Sequence, residues 1–205
     1  NGQLLEIKSQ DSTLNSPIDL IFKNFRIETL SKMVASDGMN LGGGINGQAT
    51  VSRLESKPVF VTDMVIDKFY LGKDTVGNIN VHVNNEKENT YAADVSITEN
   101  GNNVSLIGEF ISPPKEESSF NATLNIAPLK MKTIQAFSLG YLKESKGDIN
   151  GELKISGTTN KPVIKGDLNF NAAESNVAML NAAFLIDNEK ISFNDRGISL
   201  TNFNI

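Results

Sequence analysis

The chain has 205 residues and a formal net charge of −5, and its lysines are spread along its length, so no basic stripe exists for a phosphate backbone and nucleic acid is excluded as a natural partner. Zero cysteines exclude disulfide frameworks, cysteine-based zinc clusters and thiol nucleophiles, and fit either a reducing cytoplasm or a cell-envelope protein without crosslinks. No run approaches the roughly 18 apolar residues of a membrane span, and no charged start leads into an apolar signal core.

From the start, short apolar pulses at Leu5 and Ile7, then Ile18, Leu20 and Phe22, then Phe25 and Ile27 read as strands with a turn at Ser16-Pro17. The period then changes. Thr29 is a candidate N-cap, and Leu30, Met33 and Val34 share one helical face, which predicts a short helix near 29–36. Period two returns with Ile45, Ala49 and Val51, and the turn at Lys57-Pro58 leads into a further strand. More strands are predicted at Ile79-Val81-Val83, Tyr91-Ala93-Val95-Ile97, Val104-Leu106-Phe110 and Phe120-Ala122-Leu124-Ile126, with polar or proline breaks between them. A second helix is predicted over Thr133–Glu144, where Ile134, Phe137, Tyr141 and Leu142 share a face. Strands follow around Ile149-Leu153-Ile155 and Ile164-Leu168-Phe170, and Ile191-Phe193 and Ile198-Leu200 flank a hairpin signal at 194–197. Alternation continues to Ile205, which reads as a portion of a longer protein.

The chain repeats itself. Gly43, Ile45, Asn46, Gly47, Ser52, Lys57, Pro58, Val59 and Asp63 recur 104 positions later as Gly147, Ile149, Asn150, Gly151, Ser156, Lys161, Pro162, Val163 and Asp167. With Thr29 and Thr133 this makes ten identities in forty ungapped positions. The expected organisation is a first unit over 1–128 and a second, truncated unit over 129–205. Fold class is therefore all-β, mainly antiparallel, with two short amphipathic helices. Two helices cannot cover so much sheet, so the apolar face closes as a sandwich or barrel, or folds lengthwise into a trough.

No catalytic constellation assembles. Gly42 to Gly47 satisfies G-x-G-x-x-G, but it follows a predicted helix and opens a strand, the reverse of a dinucleotide site. Asp148-Ile149-Asn150-Gly151-Glu152 lacks the third carboxylate and the late glutamate of a calcium loop. His82 is the one histidine, alternates with Val81 and Val83, and is expected to face solvent. Glu116-Glu117 and Glu86/Glu88 lie in polar turns beside lysines, where nothing raises a carboxyl pKa. No enzyme, metal or cofactor is expected.

The second copy reads as helix, then G-x-I-N-G-x-L-x-I-S-G-T-x-x-x-P-x-I-x-G-x-L, then I-x-F-x-x-x-G-I-x-L-x-N. It resembles the C-terminal region of the TamB translocation and assembly module family, within the AsmA-like group of bacterial cell-envelope proteins. Gly147, Ile149, Gly151, Leu153, Ile155, Gly157, Pro162, Ile164, Gly166 and Leu168 carry the resemblance, continued by Ile191, Phe193, Gly197, Ile198, Leu200 and Asn202. In the first copy Arg53 and Thr62 stand where Gly157 and Gly166 do in the second. The resemblance implies an elongated sheet curled into a U-shaped trough, β-taco-like, apolar inside and polar outside. It further implies the periplasmic part of an inner-membrane-anchored protein, with membrane contact through parts outside this chain. Phospholipid transport between the membranes, outer-membrane protein assembly or secretion, and an outer-membrane barrel partner of the Omp-assembly type complete the implied function.

The residues expected to line the trough and meet phospholipid acyl chains are Ile45, Ala49, Val51, Ile79, Val81, Val83, Val95, Ile97, Val104, Leu106, Phe110, Leu124, Ile149, Leu153, Ile155, Ile164, Leu168, Phe170, Ile191, Phe193, Ile198 and Leu200. The alternative is a closed β-sandwich binding module of adhesin or carbohydrate-binding type. Zero Trp and three Tyr weigh against sugar-stacking platforms.

Overall fold

In the computed structural model, which describes residues 2–13, 15–29, 40–186 and 188–201, the alternating stretches pair in chain order. The strands are β1 (Leu4–Ser9), β2 (Ile18–Arg26), β3 (Leu41–Ser52), β4 (Val59–Leu71), β5 (Asp74–Asn84), β6 (Thr90–Glu99) and β7 (Asn102–Ile111). After β8 (Ser119–Lys130) comes one short helix, α1 (Met131–Phe137), and then β9 (Leu142–Thr158) and β10 (Pro162–Val177). The chain continues through β11 (Ala182–Ile186), β12 (Lys190–Asn194) and β13 (Gly197–Thr201). Every pairing is antiparallel, and each strand from β1 to β10 lies beside the one before it. β10 is long enough to serve two partners: its first half pairs with β12, its second half with β11. The path ends at β1 and β13 without closing. A single open sheet is not a sandwich or a barrel.

The sheet is curled, and α1 shows by how much. The helix packs against β4, β5, β8, β9 and β10. In a flat sheet β4 and β10 would lie about 29 Å apart, six strand spacings, whereas a seven-residue helix is only about 10 Å long. Only a sheet bent around the helix lets it touch both.

Local irregularity produces the bend. Register shifts occur near Asn24, Gly43, Lys68, Pro128 and Ala172, all toward the strand ends nearest α1. The ladders joining β5, β6, β7 and β8 have none. A bulge inserts an extra residue, sharpens the twist and leaves a backbone group unpaired. Asparagines supply the missing partner: Asn46 Oδ1 accepts from Asn24 N at 2.8 Å and Asn78 Oδ1 from Lys68 N at 2.9 Å.

The repeat persists in the backbone. Gly47 and Gly151, 104 positions apart, have φ of 131° and 157°. A Cβ on either would overlap a carbonyl oxygen, of Asp63 in one copy and of Asp167 in the other. Lys68 and Ala172, also 104 apart, share the left-handed conformation at their bulges although the residues differ. Arg53 adopts the same region, φ 55°, as Gly157, φ 99°.

Two elements differ from expectation. The helix predicted over Thr133–Glu144 runs instead from Met131 to Phe137, and Leu142–Glu144 already belong to β9. Ser138 ends it by donating to Gln135 O at 2.7 Å and accepting from Leu142 N at 3.0 Å, while Leu139 and Gly140 both take positive φ. β11 was not predicted. Of the helix predicted near 29–36, Ile27–Thr29 are helical, and the remainder lies outside the described residues, as do Asn202, Phe203 and Ile205.

Gly47→Ala and Gly151→Ala each combine a disfavoured φ with a backbone overlap. Each is expected to destabilise the chain by about 2–3 kcal/mol, measured by urea denaturation. A change below about 0.5 kcal/mol, the usual range for a surface site, would show that the two close approaches are not needed.

Candidate functional site

Cross-strand register sets which side chains share a face, because directly paired residues point the same way. One row crosses the sheet from Leu5 through Phe22, Gly47, Met64, Val81, Val95, Leu106, Leu124, Leu153, Gly166 and Phe193 to Ile198. A second, nearer α1, runs Phe25, Ile45, Ile66, Ile79, Ile97, Val104, Ile126, Gly151, Leu168, Ile191 and Leu200. The third, on the other side, contains Leu20, Ala49, Thr62, Val83, Ala93, Gly108, Ala122, Ile155 and Ile164. Val51 and Phe110 lie one step further toward the strand ends away from α1, while Ile149 and Phe170 pair beside the helix. All the residues expected to line a trough thus fall on one face of the sheet.

Thr62 is the one polar side chain in these three rows. The opposite face is mainly polar: Asn46, Asn80, Ser96, Ser105, Asn125, Glu152, Asp167, Ser192 and Ser199 share one of its rows with Val65. His82 lies on that outer face, with Nδ1 2.6 Å from Asp63 Oδ1.

Burial along the apolar face is graded. Ile45, Ala49, Val104, Ile149 and Leu153 are buried, most of the others half-buried, and Phe110, Ile164, Ile198 and Leu200 exposed. The face is therefore neither a sealed core nor a flat surface. At three glycines a phenylalanine pairs directly beside the notch, Phe22 with Gly47, Phe193 with Gly166 and Phe120 with Gly157, whereas Gly108 and Gly151 have alanine, isoleucine or leucine partners.

The two ends of the strands differ. Near α1 the face is filled: Ala136 packs with Phe69, Leu71 and Val76, while Met131 packs with Ile149 and Ala173. Phe137 stacks on Phe69 with ring centroids 6.4 Å apart. Polar contacts lock the helix in place. Buried Asn102 donates to Val76 O at 2.7 Å and Thr133 Oγ1 at 2.8 Å, and accepts from Lys130 N at 2.8 Å. Gln135 donates to Asp74 Oδ2 at 3.0 Å and accepts from Ser145 N at 2.8 Å. At the other lip the rings of Phe60, Tyr91 and Phe110 form a chain, 6.3 Å and 6.2 Å between centroids, which Phe120 extends as the cross-strand partner of Phe110. Tyr91 and Phe110 are exposed there.

Phe60, Met64, Ile66, Tyr91 and Phe120 join this face without having been singled out in the sequence. β4 is apolar on both faces, with Val61 and Val65 pointing out and Met64 and Ile66 in, so only the pairing of Asp63 with His82 settles its phase. The alternation already contained Tyr91 and Phe120.

The other motifs are structural. All of Gly42–Gly47 lies within β3. Asp148 is held by Lys130 Nζ at 2.9 Å and Asn150 Nδ2 at 3.0 Å. The Lys130 hydrogen bond, ahead of burial, keeps its carboxyl below the ordinary value of 3.8.

A single open antiparallel sheet with one apolar face, plugged by a helix at one strand end, defines a curled-sheet trough protein. The sequence matches the family described as TamB, N-terminal domain, over residues 14–170. The chain belongs to the TamB family, and the matched stretch is an N-terminal domain, which corrects the C-terminal placement expected from the glycine-spaced motif. No curated protein and no solved structure matches the chain.

Asn102→Ala would leave three buried polar groups short of a partner and is expected to cost about 2–4 kcal/mol. Amide exchange should accelerate in Met131–Phe137 and stay slow in β6 and β7; uniform acceleration would mean that α1 is not held separately. A folded-state pKa below the unfolded value means that the Asp148 pair stabilises fully above 3.8 and progressively less as pH falls through the depressed value. The melting-temperature gap between the parent and Lys130→Met should therefore narrow as pH falls below 3.8. A gap independent of pH would remove Asp148 as its origin.

Proposed function

We propose that this chain is a non-enzymatic segment of a cell-envelope conduit, whose apolar trough holds phospholipid acyl chains in transit between the inner and outer membranes. The observation that carries this reading is the continuity of the apolar rows across the sheet, interrupted by one threonine. An acyl chain gains about 0.8 kcal/mol per buried CH₂, so a long apolar lining binds lipid without a dedicated polar pocket. The residues that line it are those expected from the sequence, joined by Phe60, Met64, Ile66, Tyr91 and Phe120. Because α1 fills one strand end, chains enter and leave over the aromatic lip at Tyr91 and Phe110, with headgroups remaining in water.

Membership of the TamB family supports the envelope setting, with the chain as the periplasmic part of an inner-membrane-anchored protein. It also supports a role in outer-membrane protein assembly or secretion alongside an outer-membrane barrel. Among the described residues no helix is long and apolar enough to cross a membrane.

Lipid extraction and native mass spectrometry of the purified chain test the reading. Phospholipid should accompany the parent and fall by about tenfold, the equivalent of about 1.4 kcal/mol, in Leu106→Arg and in Phe110→Arg. Phe110 is exposed, so its replacement leaves a folded protein even if arginine at half-buried Leu106 does not. A folded parent free of lipid, or a folded Phe110→Arg that retains it, would overturn the proposal.

A further inference from the structure

At the plugged end, two turns carry large apolar side chains into solvent. One turn, closed by Tyr141 N donating to Ser138 O at 3.1 Å, presents Leu139 and Tyr141, 63% and 65% exposed. The other, closed by Leu180 N donating to Val177 O at 3.0 Å, presents Met179 and Leu180, 79% and 62% exposed. The turns are neighbours: Ala178 N donates to Tyr141 O at 2.9 Å, and Leu142 pairs with Val177. Beside them opens an apolar pocket of about 550 Å³ whose walls include Met131, Leu142, Val177, Phe184 and Ile186.

Charge completes the pattern. A cleft of about 580 Å³ next to α1 is lined by Lys73, Lys130, Lys132 and Lys146 against a single carboxylate, Asp74. Asp74 accepts from Gln135, and Lys130 and Lys146 pair with Asp148 and Glu174 just outside. Lys73, Lys132 and, next to Tyr141, Lys143 have no carboxylate partner within ion-pair distance among the described residues. Glu144, and Glu99 beside Asn100 of the cleft wall, are further exposed acids close by. The acids here equal the lysines in number, and what the turns have beside them is three lysines left outside the ion pairs, in a chain whose net charge is −5.

We propose that the 138–141 and 178–181 turns form a docking surface for the interface of an anionic phospholipid bilayer, with Leu139, Tyr141, Met179 and Leu180 dipping below the headgroups and Lys73, Lys132 and Lys143 meeting the phosphates. Two adjacent narrow tips suit a deformable lipid surface better than a protein partner, which needs about 800 Å² of complementary area on each side. Tyrosine at headgroup depth, with lysines reaching outward, is the side-chain distribution of an interfacial contact. This contact is independent of acyl chains in the trough and is made by this chain itself.

The chain contains no tryptophan, so Tyr141→Trp creates a single reporter. With mixed phosphatidylethanolamine–phosphatidylglycerol vesicles its emission should shift to the blue and be quenched by brominated phospholipid, and the parent chain should co-sediment. Leu139→Ser/Met179→Ser should abolish sedimentation, and Lys132→Glu/Lys143→Glu should weaken it by about thirtyfold or more, as should replacement of the vesicles by pure phosphatidylcholine. Both double variants should retain the lipid that co-purifies with the parent, whereas Phe110→Arg should still bind vesicles, so failure here and failure of the conduit reading are separable. A folded parent that stays in the supernatant, an unshifted emission from the Tyr141→Trp variant, or unchanged sedimentation of the serine variant would each overturn the proposal. So would a parent dimer, by light scattering without vesicles, that the serine variant dissolves.

Discussion

Because strand side chains alternate with a period of two, a slip of one residue at any of the twelve strand pairings would turn an apolar set outward. The apolar rows survive because the irregularities are kept out of them. Apart from the β2–β3 shift, which falls between the first and second rows without landing on either, register shifts collect at the α1 end beyond the rows, and the central ladders run straight. The same bulges bend the strand ends toward the helix, so regularity in the middle and curvature at the end come from one division of labour along each strand.

α1 depends on that curvature and in turn fixes it. Seven residues are too few to hold a helix in water, so its stability comes from the two apolar clusters it joins and from Asn102 and Gln135. One cluster draws on β4 and β5, the other on β9 and β10. Removing the helix would expose both clusters and release the constraint that brings the two arms of the sheet together. Among the described residues the aromatic lip at the other strand end has no such plug, which gives the trough a closed side and an open one.

Much of this was legible in the sequence, for a physical reason. Where one face is apolar and the other wet, as in Val81-His82-Val83 or Val95-Ser96-Ile97, period two fixes both the strand and its orientation. β4 defeats that logic because both its faces are apolar. The helix was overextended because Tyr141 and Leu142 continue the helical spacing by coincidence, while the break at Ser138 depends on hydrogen bonds that spacing does not encode. The bulges at Lys68 and Ala172 were invisible, since neither residue is a glycine and their equivalence resides in backbone angles. The glycine-spaced motif identified the family but not the end of it: both copies within this chain carry versions of the motif, so it does not by itself mark position.

The phenylalanines paired with Gly47, Gly157 and Gly166 have a consequence for motion. A molecule sliding along a surface is slowed less by how strongly the surface attracts it than by how unevenly it does so. Each backbone glycine would be a shallow well between taller neighbours, and the rings beside Gly47, Gly157 and Gly166 fill theirs, while Gly108 and Gly151 keep their wells. The lining is thereby smoothed at three of the places where the backbone left it rough, which lowers the friction felt there by anything drawn across it.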